Sequence, residues 1–156
     1  MTTTPKQTVP FAVTASGTGV AQSVEAGGHR FETDALPAFG GQDAAPSPLY
    51  YALAALTSCH QVTGSLVAKD LGITLGAWSI DAVGDLDPSV IAGGAEGNAN
   101  FDRVTVRVRV ETDADEETFA RFADETARRC PVTQLFTRSG LGFDSDWTRS
   151  SLPAAV

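Results

Sequence analysis

One long apolar segment constrains the fold of this chain more than any other feature of its sequence. The segment opens with Ser47 and Pro48, and no proline interrupts it from there to Asp70. A serine hydroxyl at the N-cap accepts a bond from a free amide of the first turn, and a proline at the first helical position has no amide to leave unpaired. The pattern therefore predicts one helix from Pro48 to Asp70, roughly 23 residues and about 34 Å long.

The apolar residues of this segment surround the predicted helix instead of forming a stripe. From Leu49 to Leu56 the helix is apolar on all sides, and such a helix is buried in a protein core. Cys59 follows on the face that also carries Leu56 and Thr63, at three- and four-residue spacing. Polar residues from Thr57 onward keep the run well short of the ~20 apolar residues that span a bilayer, so the segment predicts a core helix and no membrane partner.

Composition and charge narrow the classes of protein and partner. The 156 residues are 42% hydrophobic and 19% charged, which is typical of a single globular domain, with flexible tails expected at 1–9 and 149–156. The net charge of −8, without a cluster of Lys and Arg, argues against a nucleic-acid partner. The N-terminal sequence MTTTPKQT lacks the apolar centre of a signal peptide, so we expect a cytoplasmic location.

The remaining sequence predicts short strands before the helix and both strands and helices after it. The clearest strand runs from Arg103 to Val110, where valine alternates with arginine or threonine. Further strands are predicted at 11–15, 20–24, 29–33, 74–84 and 140–147, with a mobile loop at 85–100, a helix that ends at Arg129 and a short helix opened by Pro131. This order, with neither an internal repeat nor a glycine-rich phosphate loop, predicts the α+β class.

The chain has two cysteines, Cys59 and Cys130. In a cytoplasmic protein, two cysteines are free or catalytic more often than they form a structural disulfide. Only His29 and His60 could complete a metal site with them, and these four residues do not have the spacing of a zinc ligand set. We therefore expect no metal cofactor and regard both thiols as candidate reactive groups.

The two thiols differ in their predicted electrostatic surroundings. A reactive cysteine must be ionised, and an unperturbed thiol is only a few per cent thiolate at neutral pH. Cys59 lies about three turns into its predicted helix, beyond the reach of the helix dipole, and burial opposes its ionisation. Cys130 follows Arg128 and Arg129 and precedes Pro131, a setting that favours the thiolate. Local electrostatics thus favours Cys130, unless a cation from elsewhere in the fold reaches Cys59.

Three motifs, in this order, resemble the OsmC/Ohr family of osmotically inducible and organic hydroperoxide resistance proteins. They are Gly40-Gly41-Gln42-Asp43 leading to Pro46-Ser47-Pro48, the small-residue helix from Ala52 to Cys59, and Cys130-Pro131-Val132. Each motif alone is weak, whereas the three in order are fairly specific. The resemblance covers roughly residues 10–148, and the order of the predicted elements fits it.

The resemblance implies a small α+β fold, with antiparallel sheets around a long buried helix, and an intertwined homodimer with its sites at the interface. It also implies a thiol-dependent peroxidase that needs neither metal nor haem and reduces organic or lipid hydroperoxides. In that scheme the residue matching Cys59 attacks the peroxide and becomes a sulfenic acid, and the residue matching Cys130 then forms a disulfide with it. An external dithiol reduces the disulfide. On this resemblance we assign the attack to Cys59.

The sequence departs from the family pattern around the start of the helix. Many peroxidase members carry a glutamate just after the helix-opening proline and an arginine upstream, whereas Leu49, Tyr50 and Tyr51 follow the proline here. Arg30 is the candidate arginine. Tyr50 and Tyr51 are substrate-pocket candidates, with packing as their alternative role. Because the acidic partner is missing, the alternative function is a divergent member that binds a small apolar ligand or senses redox state without efficient peroxide turnover.

Overall fold

The long helix predicted from the sequence, α1, runs from Pro48 to Leu71 in the computed structural model, which describes residues 7–154. The sequence predicts a single domain, and the described residues fall into two compact units that divide between Tyr51 and Ala52. The helix therefore starts in the first unit and continues in the second.

The structure describes only part of the two predicted tails, 1–9 and 149–156. Residues 1–6 and 155–156 of these tails lie outside the described residues. Residues 7–9 have no regular secondary structure, whereas residues 149–150 belong to the last strand.

The first unit contains an antiparallel meander of three strands, as the sequence predicts. The strands are β1 (Val13–Thr18), β2 (Ala21–Ala26) and β3 (His29–Thr33). The bounds of β3 match the prediction, whereas β1 extends further along the chain than predicted. Its last residue pairs with the first residue of β2, so the turn lies at Gly19, whose φ of +66° suits glycine.

The loop between β3 and α1 is built around one buried carboxylate. Asp34 is 4% exposed, and its carboxylate accepts the backbone amides of Ala35, Gln42 and Ala44 at 2.7, 3.0 and 3.0 Å. The amide of Ala44, followed by the other two, holds the pKa of Asp34 below its ordinary value. These bonds close the loop that leads into α1.

The second unit contains a sheet in the order β4-β5-β6, with the predicted valine strand in the middle. These strands are β4 (Leu75–Asp85), β5 (Arg103–Thr112) and β6 (Gly142–Ser150). The β4–β5 pair is antiparallel, but the β5–β6 pair is parallel, which corrects the prediction of antiparallel sheets. A parallel pair needs a crossover connection, and two helices, α3 (Glu116–Arg129) and α4 (Pro131–Arg138), supply it.

A short helix interrupts the segment that is predicted to be a mobile loop. This helix, α2, spans Pro88–Gly93. The carboxylate of Asp87 caps it by accepting the amide of Ser89 at 2.9 Å, and proline occupies the first turn. The same start signal that predicts α1 is therefore present here, and the glycines that follow only end the helix.

Helix α1 is buried on one side only, which differs from the prediction of burial on all sides. Its buried residues are Leu56, His60, Thr63, Gly64, Val67 and Ala68. On the opposite side Val62 and Leu66 are 60% and 54% exposed. The chain by itself therefore leaves an apolar face of α1 in contact with solvent.

The core of the second unit forms where the buried side of α1 meets helix α3 and the valine face of β5. Residues of all three elements form one cluster, and two tryptophans pack against it: Val67, Ala68, Val110, Phe119 and Phe122, with Trp78 and Trp147. The other face of β5 carries the arginines, and Arg109 pairs with Asp81 across the sheet at 2.9 Å. The predicted alternation of a buried and a wet face is thus confirmed.

Gly64 tests how closely α1 packs against the core. A Cβ at this position would lie 2.6 Å from the Trp78 ring and 3.3 Å from the Phe122 ring. Glycine to alanine inside a helix normally stabilises by about 1 kcal/mol, whereas overpacking costs about 1–3 kcal/mol. Because the overpacking cost exceeds the helical gain at so close a contact, we expect Gly64→Ala to lower the free energy of unfolding, measured by urea denaturation, by up to about 2 kcal/mol.

The matched control is Gly93→Ala in α2, where an added Cβ meets nothing within 4 Å. This variant should be as stable as the native chain or slightly more stable. A stable Gly64→Ala variant would show that α1 does not press against Trp78 as closely as described.

His60 is a buried titratable group in this core. Its ring is 0% exposed and packs 5.7 Å from the Trp147 ring, and Nδ1 donates to the Leu56 carbonyl at 2.9 Å. Among the described residues, its Nε2 atom has no hydrogen-bond partner. Burial lowers the pKa of His60, and the Leu56 carbonyl opposes this only in part.

This burial makes the stability depend on pH in a defined window. Below pH ~6.5 the unfolded chain binds a proton at His60 that the folded chain does not bind, so stability falls as the pH drops toward the folded pKa. The slope is at most about 1.4 kcal/mol per pH unit. We expect His60→Gln to remove this component from the stability measured between pH 7 and 5.

Thr126→Val provides the control, because it alters a buried polar side chain that does not titrate and should keep the native pH dependence. An unchanged slope in His60→Gln would mean that His60 is protonated in the folded chain.

Candidate active site

The fold brings the two cysteines together within the second unit. Cys59 lies on α1 and Cys130 at the junction of α3 and α4, close enough for the Cys130 thiol to raise the pKa of Cys59. Both are free thiols, so no disulfide joins them. Cys59 is partly exposed, whereas Cys130 is 0% exposed. A solvent-borne oxidant can therefore meet Cys59 first, with a second thiol already beside it.

The position of Cys130 follows from a sharp change of direction between two helices. Its backbone amide bonds to the Thr126 carbonyl at 2.9 Å and ends α3, and its sulfur accepts the amide of Thr133 at 3.3 Å and caps α4. Pro131 at the first position of α4 cannot continue α3, since it has no amide to donate. The thiol is thereby fixed at the N-terminus of α4.

The surroundings of Cys59 favour its neutral form. Burial raises the pKa of the Cys59 thiol, and the hydrogen bond to Cys130 adds to this effect. Two donors oppose the shift: the backbone amide of Val132 in the first turn of α4, and the hydroxyl of Thr63, 3.8 Å from the Cys59 sulfur. The dipole of its own helix does not reach Cys59, but the first turn of another helix supplies an amide to it.

The two arginines that precede Cys130 point to other partners. Arg128 forms two hydrogen bonds with Glu125, at 2.7 and 3.0 Å, and Arg129 pairs with Asp70 at 2.6 Å. The sequence-based expectation that these cations support the thiolate of Cys130 overlooked the neighbouring carboxylates. The hydrogen bond that the structure does give to the Cys130 sulfur comes from Thr133.

The other predicted site residues lie in the first unit. Arg30 donates to the Ser23 hydroxyl at 2.7 Å and lies 3.7 Å from Glu32. Tyr51 packs its ring 4.9 Å from the Phe31 ring and donates its hydroxyl to the Glu32 carbonyl at 2.7 Å. Tyr50 is 56% exposed.

These contacts separate the predicted residues into two groups. The structure brings Cys59 and Cys130 together, and it holds Tyr51 by contacts within its own unit. An approach of Arg30 to Cys59 remains a prediction.

Two groups at the site were given no role by sequence reasoning. The spacing of Thr63 already placed it on the same helix face as Cys59, but only the structure shows its hydroxyl 3.8 Å from the sulfur. The amide of Val132 carries no sequence signal, because every residue except proline has one. The proximity of the Val132 amide to Cys59 depends on how α4 packs near α1 in the tertiary structure.

The residues that surround the thiols do not form a metal site. Within residues 7–154 no group of three or more His, Cys, Asp or Glu side chains could hold a metal ion.

None of the helices in the described part of the chain combines the length and the hydrophobicity needed to cross a membrane.

The fold is similar to those of several solved structures. An OsmC-like protein from Mycoplasma pneumoniae superposes with a TM-score of 0.77 at 18% identity, over 92% of this chain and 99% of that one. An organic hydroperoxide resistance protein from Elizabethkingia anophelis gives 0.72 at 19% identity, over 94% and 100%. OhrB of Bacillus subtilis, an organic hydroperoxide resistance protein, gives 0.59 at 22% identity, over 90% and 98%.

Sequence comparisons give one match to a family. No match was found among curated protein sequences. The family model described as OsmC-like protein matches residues 40–144, more than half of the chain, starting at the Gly40-Gly41 motif and including both cysteines. The resemblance drawn from the three motifs is therefore confirmed, and the chain belongs to the OsmC-like family.

Proposed function

We propose that this protein is a thiol-dependent peroxidase that reduces organic or lipid hydroperoxides through Cys59 and Cys130. The observation that carries the proposal is the close pair of free thiols, one partly exposed and one buried, on an OsmC-like fold. Two structural neighbours that are named organic hydroperoxide resistance proteins support the choice of substrate class. We expect the reaction to take place in the cytoplasm, with an external dithiol as the reductant.

The proposed cycle has three steps. The Cys59 thiolate attacks the terminal peroxide oxygen, the O–O bond breaks, and the substrate leaves as an alcohol after taking up a proton, while Cys59 becomes a sulfenic acid. The Cys130 sulfur then attacks the Cys59 sulfur, and the hydroxyl leaves as water. Finally, an external dithiol reduces the disulfide by two exchange steps and becomes a disulfide itself.

The difference in exposure supports the assignment of roles. The attacking thiol must meet a substrate from solvent, which the partly exposed Cys59 can do and the fully buried Cys130 cannot without movement. The resolving thiol needs only to reach the sulfenic acid beside it. This argument favours the order implied by the family resemblance over the order implied by local charge.

The raised pKa of Cys59 leaves room for a further activating group. A cation near the sulfur would favour the thiolate, and Arg30 remains our candidate for that role. Its guanidinium now bonds to Ser23 and Glu32, and these exposed interactions are weak enough to exchange for a thiolate. Tyr50 and Tyr51 remain proposed as residues near the substrate.

The alternative function is a redox sensor or a small-ligand-binding protein without efficient turnover. The same thiol pair supports it, because a neutral Cys59 reacts slowly and the helix start lacks an acidic residue. The two functions differ in rate, since a sensor needs to be oxidised once, whereas a peroxidase must cycle.

The peroxidase proposal is tested by a coupled assay with cumene hydroperoxide and a dithiol. We expect turnover in the native chain, loss of at least about 100-fold in Cys59→Ser because the nucleophile is gone, and accumulation of a Cys59 sulfenic acid in Cys130→Ser. Mass spectrometry of the oxidised native chain should identify the Cys59–Cys130 disulfide.

Three outcomes would count against this function. Turnover that survives Cys59→Ser would reject the mechanism. A stoichiometric disulfide without turnover would select the sensor, and saturable binding of an apolar ligand without any oxidation would select the binding protein.

We further propose that the protein is a homodimer in which the exposed face of α1 contacts a second copy. Val62 and Leu66, 60% and 54% exposed, are the large apolar side chains of this face, and Ser58, Gln61 and Ser65 accompany them. Cys59 belongs to the same helix, so a second copy would lie close to the thiol. An interface there would complete the burial that the sequence of α1 predicts.

Substitution of Leu66 tests this assembly. We expect the native chain to sediment as a dimer and Leu66→Glu to shift it to a monomer, because a charge would be buried at the interface. Leu135→Glu is the matched control, since Leu135 is 71% exposed on α4. A monomeric native chain would contradict the proposal.

A further inference from the structure

The hydroxyl of Thr63 makes a contact that differs from those of Thr126 and Thr137, two other threonines inside helices. Thr126 and Thr137 each donate to the backbone carbonyl four residues earlier, at 2.7 and 3.0 Å. This is the usual bond of a threonine inside a helix, and it removes the hydroxyl from other chemistry. The Thr63 hydroxyl lies instead against the side chain four residues earlier, 3.8 Å from the Cys59 sulfur.

Because Thr63 is buried, its hydroxyl depends on this contact for a hydrogen bond. The residue is 6% exposed, so water cannot readily satisfy its hydroxyl. Among the described residues, 7–154, the Cys59 sulfur is the one hydrogen-bond partner of the Thr63 side chain. A buried hydroxyl without a partner is costly, and the sulfur and the hydroxyl therefore constrain each other.

A second donor approaches the same sulfur from another element. The backbone amide of Val132, in the first turn of α4, acts on the same sulfur, since it lowers the pKa of Cys59. Amides of a first helical turn have no partner within their own helix, so they are free to serve an anion. A thiolate at Cys59 would thus accept one bond from a side chain of α1 and one from the backbone of α4.

We propose that Thr63 is a positioning and activating residue for Cys59, and that its hydroxyl donates a hydrogen bond to the thiolate and fixes the orientation of this partly exposed sulfur. In the thiol form either atom can be the donor. After deprotonation the sulfur has no hydrogen to give, so the hydroxyl must donate to it. The contact therefore strengthens when the nucleophile forms.

This inference rests on the proposed function, because it concerns the activation of the same thiol. It also supplies what the helix start lacks, since Leu49, Tyr50 and Tyr51 bring no acidic residue to the site. The neutral donors on α1 and α4 take over part of the role of the glutamate and arginine that many family members carry near the start of this helix. These donors offset part of the rise in the Cys59 pKa that burial causes, without adding a charged side chain to the site.

The test is the pH dependence of alkylation at Cys59 in the reduced full-length chain. Iodoacetamide is the probe, and peptide mass spectrometry follows Cys59 separately from Cys130. Thr63→Val preserves the shape of the side chain and removes the hydroxyl. We expect the midpoint of the pH profile to move upward and the rate at pH 7 to fall about tenfold, the loss of one hydrogen bond to a charged group.

Two control variants separate activation from packing. Thr63→Ser keeps the hydroxyl and should stay within about twofold of the native rate at pH 7. Thr126→Val removes a buried hydroxyl that bonds to a carbonyl of its own helix, and it should leave the Cys59 profile unchanged. If Thr63→Val does not fold, as judged by circular dichroism, Thr63→Ala must show the same shift.

The outcomes distinguish this inference from the proposed function. A native profile in Thr63→Val, or an equal shift in Thr63→Ser and Thr63→Val, would overturn the role of Thr63 even if the native chain turned over peroxide. Conversely, the expected shift would establish the role of Thr63 even if no peroxidase activity were found, because alkylation requires no peroxide.

Discussion

The proximity of the two thiols depends on the junction at Cys130, where α3 ends and α4 begins. One residue closes the first helix with its backbone amide and caps the second with its sulfur. Because Pro131 prevents the first helix from continuing, the thiol stays at a helix N-terminus beside Cys59. Without this turn the crossover from β5 to β6 would carry Cys130 past α1, and the chain would have two unrelated thiols.

The electrostatics of Cys59 is a balance between burial and a few neutral donors. Burial raises its pKa and the neighbouring thiol adds to this, while the amide of Val132 and the hydroxyl of Thr63 act in the opposite direction. The arginines near Cys130 are paired with Glu125 and Asp70. A further donor or cation that reached the Cys59 sulfur would therefore lower its pKa.

Helix α1 serves the core and the site with different sides. Its buried side packs on the aromatic cluster, closely enough that Gly64 has no room for a Cβ beside Trp78. Cys59 is partly exposed, between this buried side and the apolar side that carries Val62 and Leu66. The buried side of α1 thus fixes the position of the helix, while Cys59 stays accessible from the exposed side.

The sequence by itself determined the elements that depend on local chemistry, and only the tertiary structure decided what meets at the thiols. Caps, prolines and alternation are local signals, so they predicted α1 from Pro48, the strand from Arg103 and the short helix after Pro131, and three motifs identified the family. The parallel pairing of β6, the one-sided burial of α1 and the amide of Val132 at Cys59 depend on contacts between residues far apart in the chain. Such contacts leave no local pattern, because a backbone amide or a helix face is the same in sequence whether or not another element packs against it.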